Sequence, residues 1–485
     1  MGFRDMENET SFKKGGLYSF FEPESIAVIG SLREGYFGGY VVVKTLLHAG
    51  FQGKIYPVNP AYQEVLGLKV YPSIKEIKEK IDLALIIVNR QAVANVLKEC
   101  AEEGIKAVIV VADGFAERDE EGKNLQNEIL DVARRSGIRI IGPNTVGVAN
   151  PEKGLITSPY EADYDRISRG GIAICSQTGI THSQAFPFAD LNYGVSKLCD
   201  FGNKCDLNEC DLLEYLKDDP STKVIAIYVE SIRDGRKFLE ISKRVTPEKP
   251  VLVLKSGRTR EGARVSASHT GALAMDDRVF DAACKQAGLI RLRRFSELFE
   301  LPKIFALQPL PKGNRLGIAT ITGGAGVLAT DKAMQFGLSI PSLSPETVAR
   351  LNTIFPNLGK PIMDIGPAMA AISDFGTFLP EVMEALLSDP HIDCLLNILW
   401  AGPVEGWGES HVKVYKELLR SFKKPIATWI YGPRVPIIQD LTHSIEALGF
   451  PVFQEVEIAV KALGIAYQYA VWKKGDADVK LFHIR

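Results

Sequence analysis

The sequence predicts an α/β protein built from three consecutive α/β units. Short apolar segments alternate with segments of helical periodicity from about Phe20 to Trp472, and this alternation is typical of parallel sheets covered by helices. A chain of 485 residues is too long for one compact domain and suits about three of ordinary size. A proline-containing connector at 308–312 lies between the second and third sets of elements. We predict domains at 1–150, 151–305 and 306–485.

The composition is that of a soluble globular protein, with 46% hydrophobic and 24% charged residues. The 57 basic and 59 acidic residues nearly balance, so no general attraction to nucleic acid or membranes is expected. Met1 to Gly16 lacks the apolar core of a signal peptide, and no stretch approaches the roughly 20 apolar residues of a membrane span. Seven cysteines without a regular framework favour a reducing environment. We expect a cytoplasmic protein.

The first unit contains five predicted strands, with helices at Ala92 to Glu103 and Glu120 to Arg135 between them. The strands are predicted at 25–30, 54–59, 83–88, 107–112 and 139–142. Ligands of such sheets bind at the carboxyl ends of the strands. We therefore expect a binding site at 30–39, 58–60 and 142–144.

A first strand that ends in glycine raises the possibility of a nicotinamide dinucleotide site. The segment from Gly30 to Gly39 lacks the G-x-G-x-x-G spacing, and the second strand ends in Asn59, where a ribose-binding carboxylate would be expected. A glycine-containing loop that opens onto a helix still suits a phosphate. The sequence favours a phosphate-bearing cofactor other than NAD.

The second unit has its clearest strands at 171–177, 224–230 and 250–255, with helices predicted at 210–217, 235–245 and 276–287. Ser176, Gln177, Thr178 and Gly179 lie where the first of these strands gives way to a predicted helix. Free backbone N–H groups and the positive end of the helix dipole meet at such a point, so these four residues are candidates for a phosphate cradle. The alternative is that Ser176 is simply an N-cap.

A long loop after the third of these strands carries His269 among small and basic residues. Three glycines give this loop backbone freedom, and three arginines supply charge suited to a phosphate; they are Gly257, Gly262, Gly271, Arg258, Arg260 and Arg264. Glu230 ends a neighbouring strand on the same predicted edge of the sheet. It is placed to accept a hydrogen bond from one imidazole nitrogen and leave the other to attack phosphorus. The alternative for Glu230 is a solvated turn residue.

The third unit repeats the strand, small-residue turn and helix of the second. A strand at 316–322 runs into Gly323, Gly324, Ala325 and Gly326 and then a predicted helix from Val327 to Phe336. We therefore predict two helix N-termini able to face one anion. Further strands at 393–400, 425–431 and 451–453 alternate with helices at 379–387, 411–422 and 438–448, and an amphipathic helix from Glu455 to Trp472 is predicted to close the unit.

No metal site is predicted. Cys199, Cys205 and Cys210 cluster in the sequence, but spacings of six and five residues do not form the paired knuckles of structural zinc. Buried, unconnected thiols are the preferred interpretation.

Taken in order, the motifs of the chain resemble those of the α subunit of NDP-forming acyl-CoA synthetases, notably ADP-forming acetate–CoA ligase, in the succinyl-CoA synthetase superfamily. The resemblance covers about Phe20 to Trp472, and its most specific parts are the His269 loop and the Gly-Gly-Ala-Gly turn. The motifs are 25–30, 142–147, 176–179, 201–204, 211–215, 227–230, 255–258, 268–271 and 323–326.

The resemblance implies a Rossmann-like CoA-binding domain followed by two flavodoxin-like ligase domains. It also implies that acyl-CoA and phosphate give an acyl phosphate, that His269 takes the phosphoryl group with Glu230 as its orienting partner, and that a nucleotide in an ATP-grasp module receives it. The implied phosphate-binding residues are Ser176 to Gly179 and Gly323 to Gly326. The implied CoA-binding residues are Gly30, Ser31, Leu32, Arg33, Gly39, Val58, Asn59, Pro60 and Asn144.

The sequence departs from the family pattern near the predicted CoA site. Leu32 replaces a residue with a hydroxyl, and Phe37 occupies a position that is often lysine. Asn89-Arg90 stands where a proline is common, and Arg90 is expected to restore a positive charge near the cofactor. His182, close to the phosphate loop, is interpreted as a packed or capping residue.

The resemblance also implies a partner. No ATP-grasp segment follows Trp472 in this sequence, so we expect a separate ATP-grasp β subunit, in an α2β2 heterotetramer, to bring ATP or ADP with Mg²⁺. The substrates are expected to be CoA and a small carboxylic acid, which the sequence does not specify. A CoA-binding regulatory subunit without catalysis is an alternative, and a nicotinamide-dependent oxidoreductase is a weaker one.

Overall fold

The computed structural model describes residues 16–161, 167–188, 192–262, 264–265, 276–369, 371–372, 375–403 and 406–475. The chain divides into two compact units, Met1–Arg294 and Phe295–Arg485. The predicted nucleophile His269 lies outside the described residues. Among the described residues, no helix is long and apolar enough to cross a membrane.

Within the described residues, the first unit contains two sheets and a short hairpin. Its strands are β1 Ser25–Gly30, β2 Lys54–Val58, β3 Glu64–Val65, β4 Leu68–Lys69, β5 Leu83–Ile87, β6 Ala107–Val110, β7 Arg139–Ile141, β8 Val148–Asn150, β9 Leu155–Ile156, β10 Arg169–Ser176, β11 Val195–Asp200, β12 Val224–Val229, β13 Val251–Lys255 and β14 Ile290–Arg291. The helices are α1 Tyr18–Phe21, α2 Gly39–His48, α3 Val93–Glu102, α4 Glu120–Ser136, α5 Glu209–Asp218, α6 Gly235–Val245 and α7 Asp277–Ala287. These bounds confirm the predicted strands and helices of this region to within a few residues.

The first sheet is parallel and has the order β2-β1-β5-β6-β7. Both faces are buried, because alternate residues of its strands enter two different apolar cores. Ile26 and Val28 of β1 enter one core, whereas Ala27 and Ile29 enter the other. Helices on both faces account for the nearly continuous apolar composition of these strands.

The second sheet has the order β14-β13-β12-β10-β11-β8-β9 and is parallel except at β8 and β9. Strand β8 lies within the predicted first domain, yet it pairs antiparallel with β11 of the second sheet. One apolar core contains side chains of both sheets, including Val28 and Ile225. The two sheets therefore form one compact unit, while the boundary at 150 remains a prediction.

In the part of the second unit, Phe295–Arg485, that the structure describes, one parallel sheet has the order β16-β15-β17-β18-β19. Its strands are β15 Leu316–Thr320, β16 Ile362–Asp364, β17 Cys394–Trp400, β18 Ile426–Tyr431 and β19 Val452–Phe453. Its helices are α8 Glu297–Glu300, α9 Pro302–Leu307, α10 Gly323–Gln335, α11 Pro345–Ile354, α12 Gly366–Met369, α13 Phe375–Ser388, α14 Trp407–Ser421, α15 Val435–Glu446 and α16 Val456–Lys473.

The last helix differs from its prediction in one respect. The interval is nearly as predicted, but α16 is buried on most of its circumference rather than along one stripe. Its charged Lys461 is itself buried and is paired with Glu297, at 2.6 Å. The prediction of an amphipathic helix was therefore wrong, since α16 packs against both α10 and β18 in the core of its unit.

Candidate active site

A cavity of about 1330 Å³ in the first unit brings together most of the predicted binding residues. It lies at the carboxyl ends of strands of the first sheet and extends to the loop after β10. Its wall includes the predicted residues Gly30, Ser31, Arg33, Val58, Asn59, Pro60, Asn144, Gln177, Thr178 and Gly179. Segments that are far apart in sequence therefore share one cavity, as expected for the carboxyl ends of a parallel sheet.

The turn after β1 depends on two glycines. A Cβ on Gly30 would lie 1.9 Å from the carbonyl oxygen of Ile87 on β5, and the φ of Gly30 is 141°, so another residue does not fit there. Gly39 donates its N–H to the carbonyl of Ser31, at 2.9 Å, which closes the turn. Leu32 is only 2% exposed and packs in the core. Neither Leu32 nor Gly39 lines the cavity, so we assign them to the shape of the loop.

The two predicted asparagines hold the backbone of the cavity wall. The Asn59 amide donates to the carbonyl of Gly30, at 2.7 Å, and its Oδ1 accepts from the N–H of Ala61, at 2.8 Å. Asn144 has a φ of 58° and donates from Nδ2 to Oδ1 of Asn203, at 3.4 Å. Both side chains thus fix loops as well as face the cavity.

Arg90 lines the cavity, but its charge is already paired. Its guanidinium lies 3.1 Å from Asp119 Oδ1 and 2.7 Å from Glu121 Oε2, and it donates to the carbonyl of Gly114. The expected restoration of positive charge is therefore offset by two carboxylates. Arg33, at the exposed part of the wall, is the better placed cation for an anionic ligand.

The loop after β10 differs from the predicted helix N-terminus. Ser176 Oγ accepts from the N–H of Thr178 and donates to its carbonyl, both at 2.9 Å. A single 3-10 turn, Gly179–Thr181, follows in place of an α-helix. The N–H of Gln177 donates to the carbonyl of Tyr228, at 3.1 Å. The helix dipole and the free N–H groups predicted at Gln177 and Thr178 are therefore absent, and Thr178 and Gly179 contribute to the cavity wall instead.

The corresponding turn of the second unit does begin an α-helix. Thr320 Oγ1 accepts from the N–H of Thr322, at 3.0 Å, and donates to its carbonyl, at 2.8 Å. This is the arrangement seen at Ser176 and Thr178, so the predicted likeness of the two turns is confirmed at the level of the turn. Helix α10 starts at Gly323 and has no side-chain cap. A Cβ on Gly323 would lie 3.1 Å from Asp364 Oδ2, so a carboxylate stands beside this helix start.

Glu230 follows β12 and is half-buried. The N–H groups of Glu230 and Ser231 donate to Oε1 of Gln177, at 3.0 and 3.4 Å, and the Tyr228 hydroxyl donates to the Glu230 carboxylate, at 3.4 Å. Gln177 therefore connects the loop after β10 to the backbone of Glu230 through its side chain. Burial raises the pKa of Tyr228, which keeps its hydroxyl protonated and able to donate.

Asp200 is a cavity residue that the sequence interpretation missed. It ends β11, is 2% exposed and lines the cavity. Its carboxylate accepts from the N–H groups of Val146, at 2.9 Å, and Gly202, at 3.1 Å. Burial raises the pKa of Asp200 to about 6 despite these hydrogen bonds. The sequence did contain a signal for Asp200, since it is an acidic residue that ends an apolar strand and precedes Phe-Gly. Glu230 was identified from the same kind of pattern.

His182 and the clustered cysteines are buried. His182 is 1% exposed, burial lowers its pKa to about 3, and its Nδ1 lies 3.0 Å from Ser183 Oγ, in agreement with a packed residue. Cys199, Cys205 and Cys210 are free thiols, and burial raises the pKa of Cys205 and Cys210 to about 12. The described part of the chain contains no group of three or more His, Cys, Asp or Glu side chains able to hold a metal ion.

Comparison with known proteins identifies the class of this molecule. Residues 24–151 match the CoA binding domain family, and residues 169–305 match the succinyl-CoA ligase like flavodoxin domain family. A solved structure of the dinucleotide-forming acetyl-coenzyme A synthetase 1 of Candidatus Korarchaeum cryptofilum, in complex with phosphate and ADP, has a TM-score of 0.84 at 30% identity. The match covers 95% of this chain and 98% of the chain in the solved structure. The fold is that of CoA-dependent acid–thiol ligases.

Curated relatives narrow the class to one family. The chain is 39% identical over 94% of its length to acetate–CoA ligase (ADP-forming) II of Archaeoglobus fulgidus, of which it spans 67%. It is 36% identical over 93% of its length to the α subunit of acetate–CoA ligase (ADP-forming) II of Pyrococcus furiosus, of which it spans 97%. The chain therefore belongs to the ADP-forming acetate–CoA ligase family, which confirms the resemblance and the predicted fold class.

Proposed function

We propose that this chain is the α component of an ADP-forming acyl-CoA synthetase. It interconverts acyl-CoA, ADP and phosphate with a carboxylic acid, ATP and CoA. The observation that carries this proposal is the single cavity that connects the strand ends at Gly30, Asn59 and Asn144 with the loop at Gln177 to Gly179. A substrate with its nucleotide end at the first sheet can thus reach the loop of the second sheet with its thioester.

The strand ends suit a phosphate-bearing substrate such as CoA. Gly30 and Ser31, in the turn after β1, line the cavity, and the absence of a side chain at Gly30 allows this turn to pack closely against β5. Arg33 supplies positive charge at the exposed wall. Phe37 and Tyr160 also line the cavity, and their ring centroids are 4.9 Å apart, so this wall offers an aromatic surface where the family pattern has lysine.

The proposed chemistry has two steps on this chain. A phosphate oxygen attacks the thioester carbonyl, the carbon–sulfur bond breaks and CoA leaves, which gives an acyl phosphate. One ring nitrogen of His269 then attacks phosphorus and the carboxylic acid leaves as its anion. Glu230 accepts a hydrogen bond from the other ring nitrogen and so holds the imidazole in the reactive tautomer. In the turn at 176–179, the proposed phosphate contacts are Thr178 and Gly179, which line the cavity. In the second unit, the turn at 323–326 is likewise proposed to contact phosphate.

The phosphohistidine then transfers its phosphoryl group to ADP. We propose that an ATP-grasp β component holds this nucleotide together with Mg²⁺, in an α2β2 assembly in the cytoplasm. Some relatives are named as α subunits, and the relative of Archaeoglobus fulgidus is longer than the part this chain matches. Both observations support a second component that is a separate chain in some members.

The test is to incubate the purified full chain with acetyl-CoA and [32P]phosphate and to look for an acid-labile, base-stable protein label. The wild-type chain is expected to be labelled. His269→Ala is expected to lose the label while it binds CoA nearly as well, because the nucleophile and the CoA loops lie in different segments. Label of normal intensity in His269→Ala would exclude the phosphohistidine, and a CoA-binding regulatory subunit would show no label in the wild type.

A further inference from the structure

The turn at 201–204 is joined to the loop that carries Glu230 by contacts that run in both directions. Lys204 Nζ donates to the carbonyl of Ser231. In return, the Arg233 guanidinium donates to the carbonyls of Asn203, at 3.2 Å, and Cys205, at 3.3 Å. The backbone just after Glu230 is therefore fixed from the side of this turn.

Lys204 is an unusual residue to find at this position. It is 1% exposed and its φ is 44°, in the left-handed region where glycine or asparagine is the less strained choice. Its Nζ lies 3.0 Å from Glu209 Oε2, and Glu209 is 1% exposed. Burial lowers the pKa of Lys204, whereas the nearby Glu209 carboxylate counteracts that shift. A buried ion pair adds little to stability compared with apolar side chains of similar volume, so stability alone does not account for it.

The other contact with the Glu230 backbone comes from Gln177. Its Oε1 accepts the N–H groups of Glu230 and Ser231, whereas Lys204 donates to the carbonyl of Ser231. Side chains from two other loops therefore bind the N–H groups of Glu230 and Ser231 and the carbonyl of Ser231. These contacts fix the Cα–Cβ direction of Glu230, and therefore the point from which its carboxylate extends.

We propose that Lys204, held by Glu209, is a positioning residue that sets the direction of the Glu230 carboxylate during phosphorylation of the histidine. This inference rests on the proposed function and adds a residue to it. The charged pair is needed because an ammonium group supplies a donor at the Ser231 carbonyl, which an apolar side chain does not. Lys204 itself acts through Glu230 and has no direct part in the phosphoryl transfer.

The experiment is a mutant cycle on the full chain, with the rate of labelling by acetyl-CoA and [32P]phosphate as the measurement. The Lys204→Met, Glu209→Gln double variant removes both charges and so avoids an unpaired buried ion. It is expected to label about ten- to a hundredfold more slowly, which is typical of a misplaced catalytic group. In a Glu230→Gln background the same two substitutions are expected to cause no further loss, because the group they position is already inactive.

The matched control is the Lys197→Met, Asp219→Asn variant. Lys197 and Asp219 form another buried pair of the same unit, at 3.2 Å, and its removal is expected to leave the labelling rate near that of the wild type. Arg233→Met removes a second contact with the same loop, and it alters no buried residue because Arg233 is exposed. It is expected to give a smaller loss that also disappears in the Glu230→Gln background. Circular dichroism establishes that each variant is folded.

The outcomes separate this inference from the proposed function. Wild-type labelling by the folded Lys204→Met, Glu209→Gln variant, or an equal loss with and without Glu230, overturns the positioning role and leaves that of Glu230 intact. If the double variant does not fold, wild-type labelling by Arg233→Met overturns it. A Glu230→Gln chain that labels at the wild-type rate overturns the role of Glu230 in the proposed function, and the positioning role with it.

Discussion

Asp200 shows how position changes the chemistry of a single side chain. Its two oxygens accept backbone N–H groups from Val146 and Gly202, which favours the carboxylate, while burial favours the neutral acid and has the larger effect. The pKa of about 6 therefore brings its titration close to neutral pH. A carboxyl group of this kind changes its charge within the wall of the substrate cavity near that pH.

This pKa shift predicts how stability depends on pH. The unfolded pKa of an aspartate is about 3.9, so between about pH 4 and pH 6 the folded protein holds a proton that the unfolded chain has released. Stability from this group therefore falls as pH rises through that window and is constant above it. Relative to Asp200→Asn, the wild type is expected to lose about 3 kcal/mol of unfolding free energy over the window.

The measurement is urea unfolding of both chains across this pH range. Any hydrogen bond that the Asp200→Asn substitution removes shifts the difference by an amount that does not vary with pH, and titrating groups that do not interact with Asp200 cancel between the two chains. A difference that stays the same from pH 4 to pH 7 would contradict the raised pKa of Asp200.

At the scale of elements, the site depends on how closely strands and turns approach each other. Gly30 ends β1 against β5, where a Cβ would overlap the carbonyl of Ile87. Five residues later in the same loop, Gly35 has no atom within 4 Å of its hypothetical Cβ and no positive φ. The two glycines therefore form a matched pair, one required by packing and one not.

Gly30→Ala is expected to lower the unfolding free energy by at least about 1–3 kcal/mol, because a strained backbone conformation alone costs that much. It is also expected to weaken CoA binding, since the strand end that lines the cavity must move. Gly35→Ala is expected to change stability by less than about 0.5 kcal/mol. Calorimetric titration with CoA and thermal unfolding give both quantities, and equal behaviour of the two variants would show that the β1–β5 approach is unimportant.

At the scale of the whole molecule, two sheets share a core in the first unit, and a third sheet forms the second unit. The cavity proposed for CoA lies entirely in the first unit. We propose that the reactions which need only CoA, an acyl group and phosphate occur on this chain, and that transfer to ADP needs a second component.

The corresponding prediction is that the purified chain alone forms no ATP from acetyl-CoA, phosphate and ADP, and that activity appears when an ATP-grasp β chain is added. Binding of CoA and labelling by [32P]phosphate are expected without that partner. A coupled assay for ATP measures the difference. Robust ADP-dependent cleavage of acetyl-CoA by the homogeneous chain would contradict the division of function between two components.

Local sequence determined the elements of this protein and the identity of many residues in its cavity. Continuous apolar runs predicted the strands because both faces of a parallel sheet are buried, and the end of each strand predicted where ligands bind. Gly30, Asn59 and Asn144 were found in this way, and the cavity contains all three. The ordered motifs identified the family, because their spacing reflects the same succession of strands and loops.

Only the tertiary structure decided what each predicted residue does in the folded protein. Leu32 packs inward, the loop after Ser176 forms a 3-10 turn, and the side chain of Gln177 holds the backbone of Glu230. Asp200 and Lys204 gain their importance from partners that are distant in sequence, namely Val146 and Ser231. Burial and hydrogen bonding between such segments depend on how the sheets pack. A strand pattern encodes which residues point inward, but it does not encode which partner they meet.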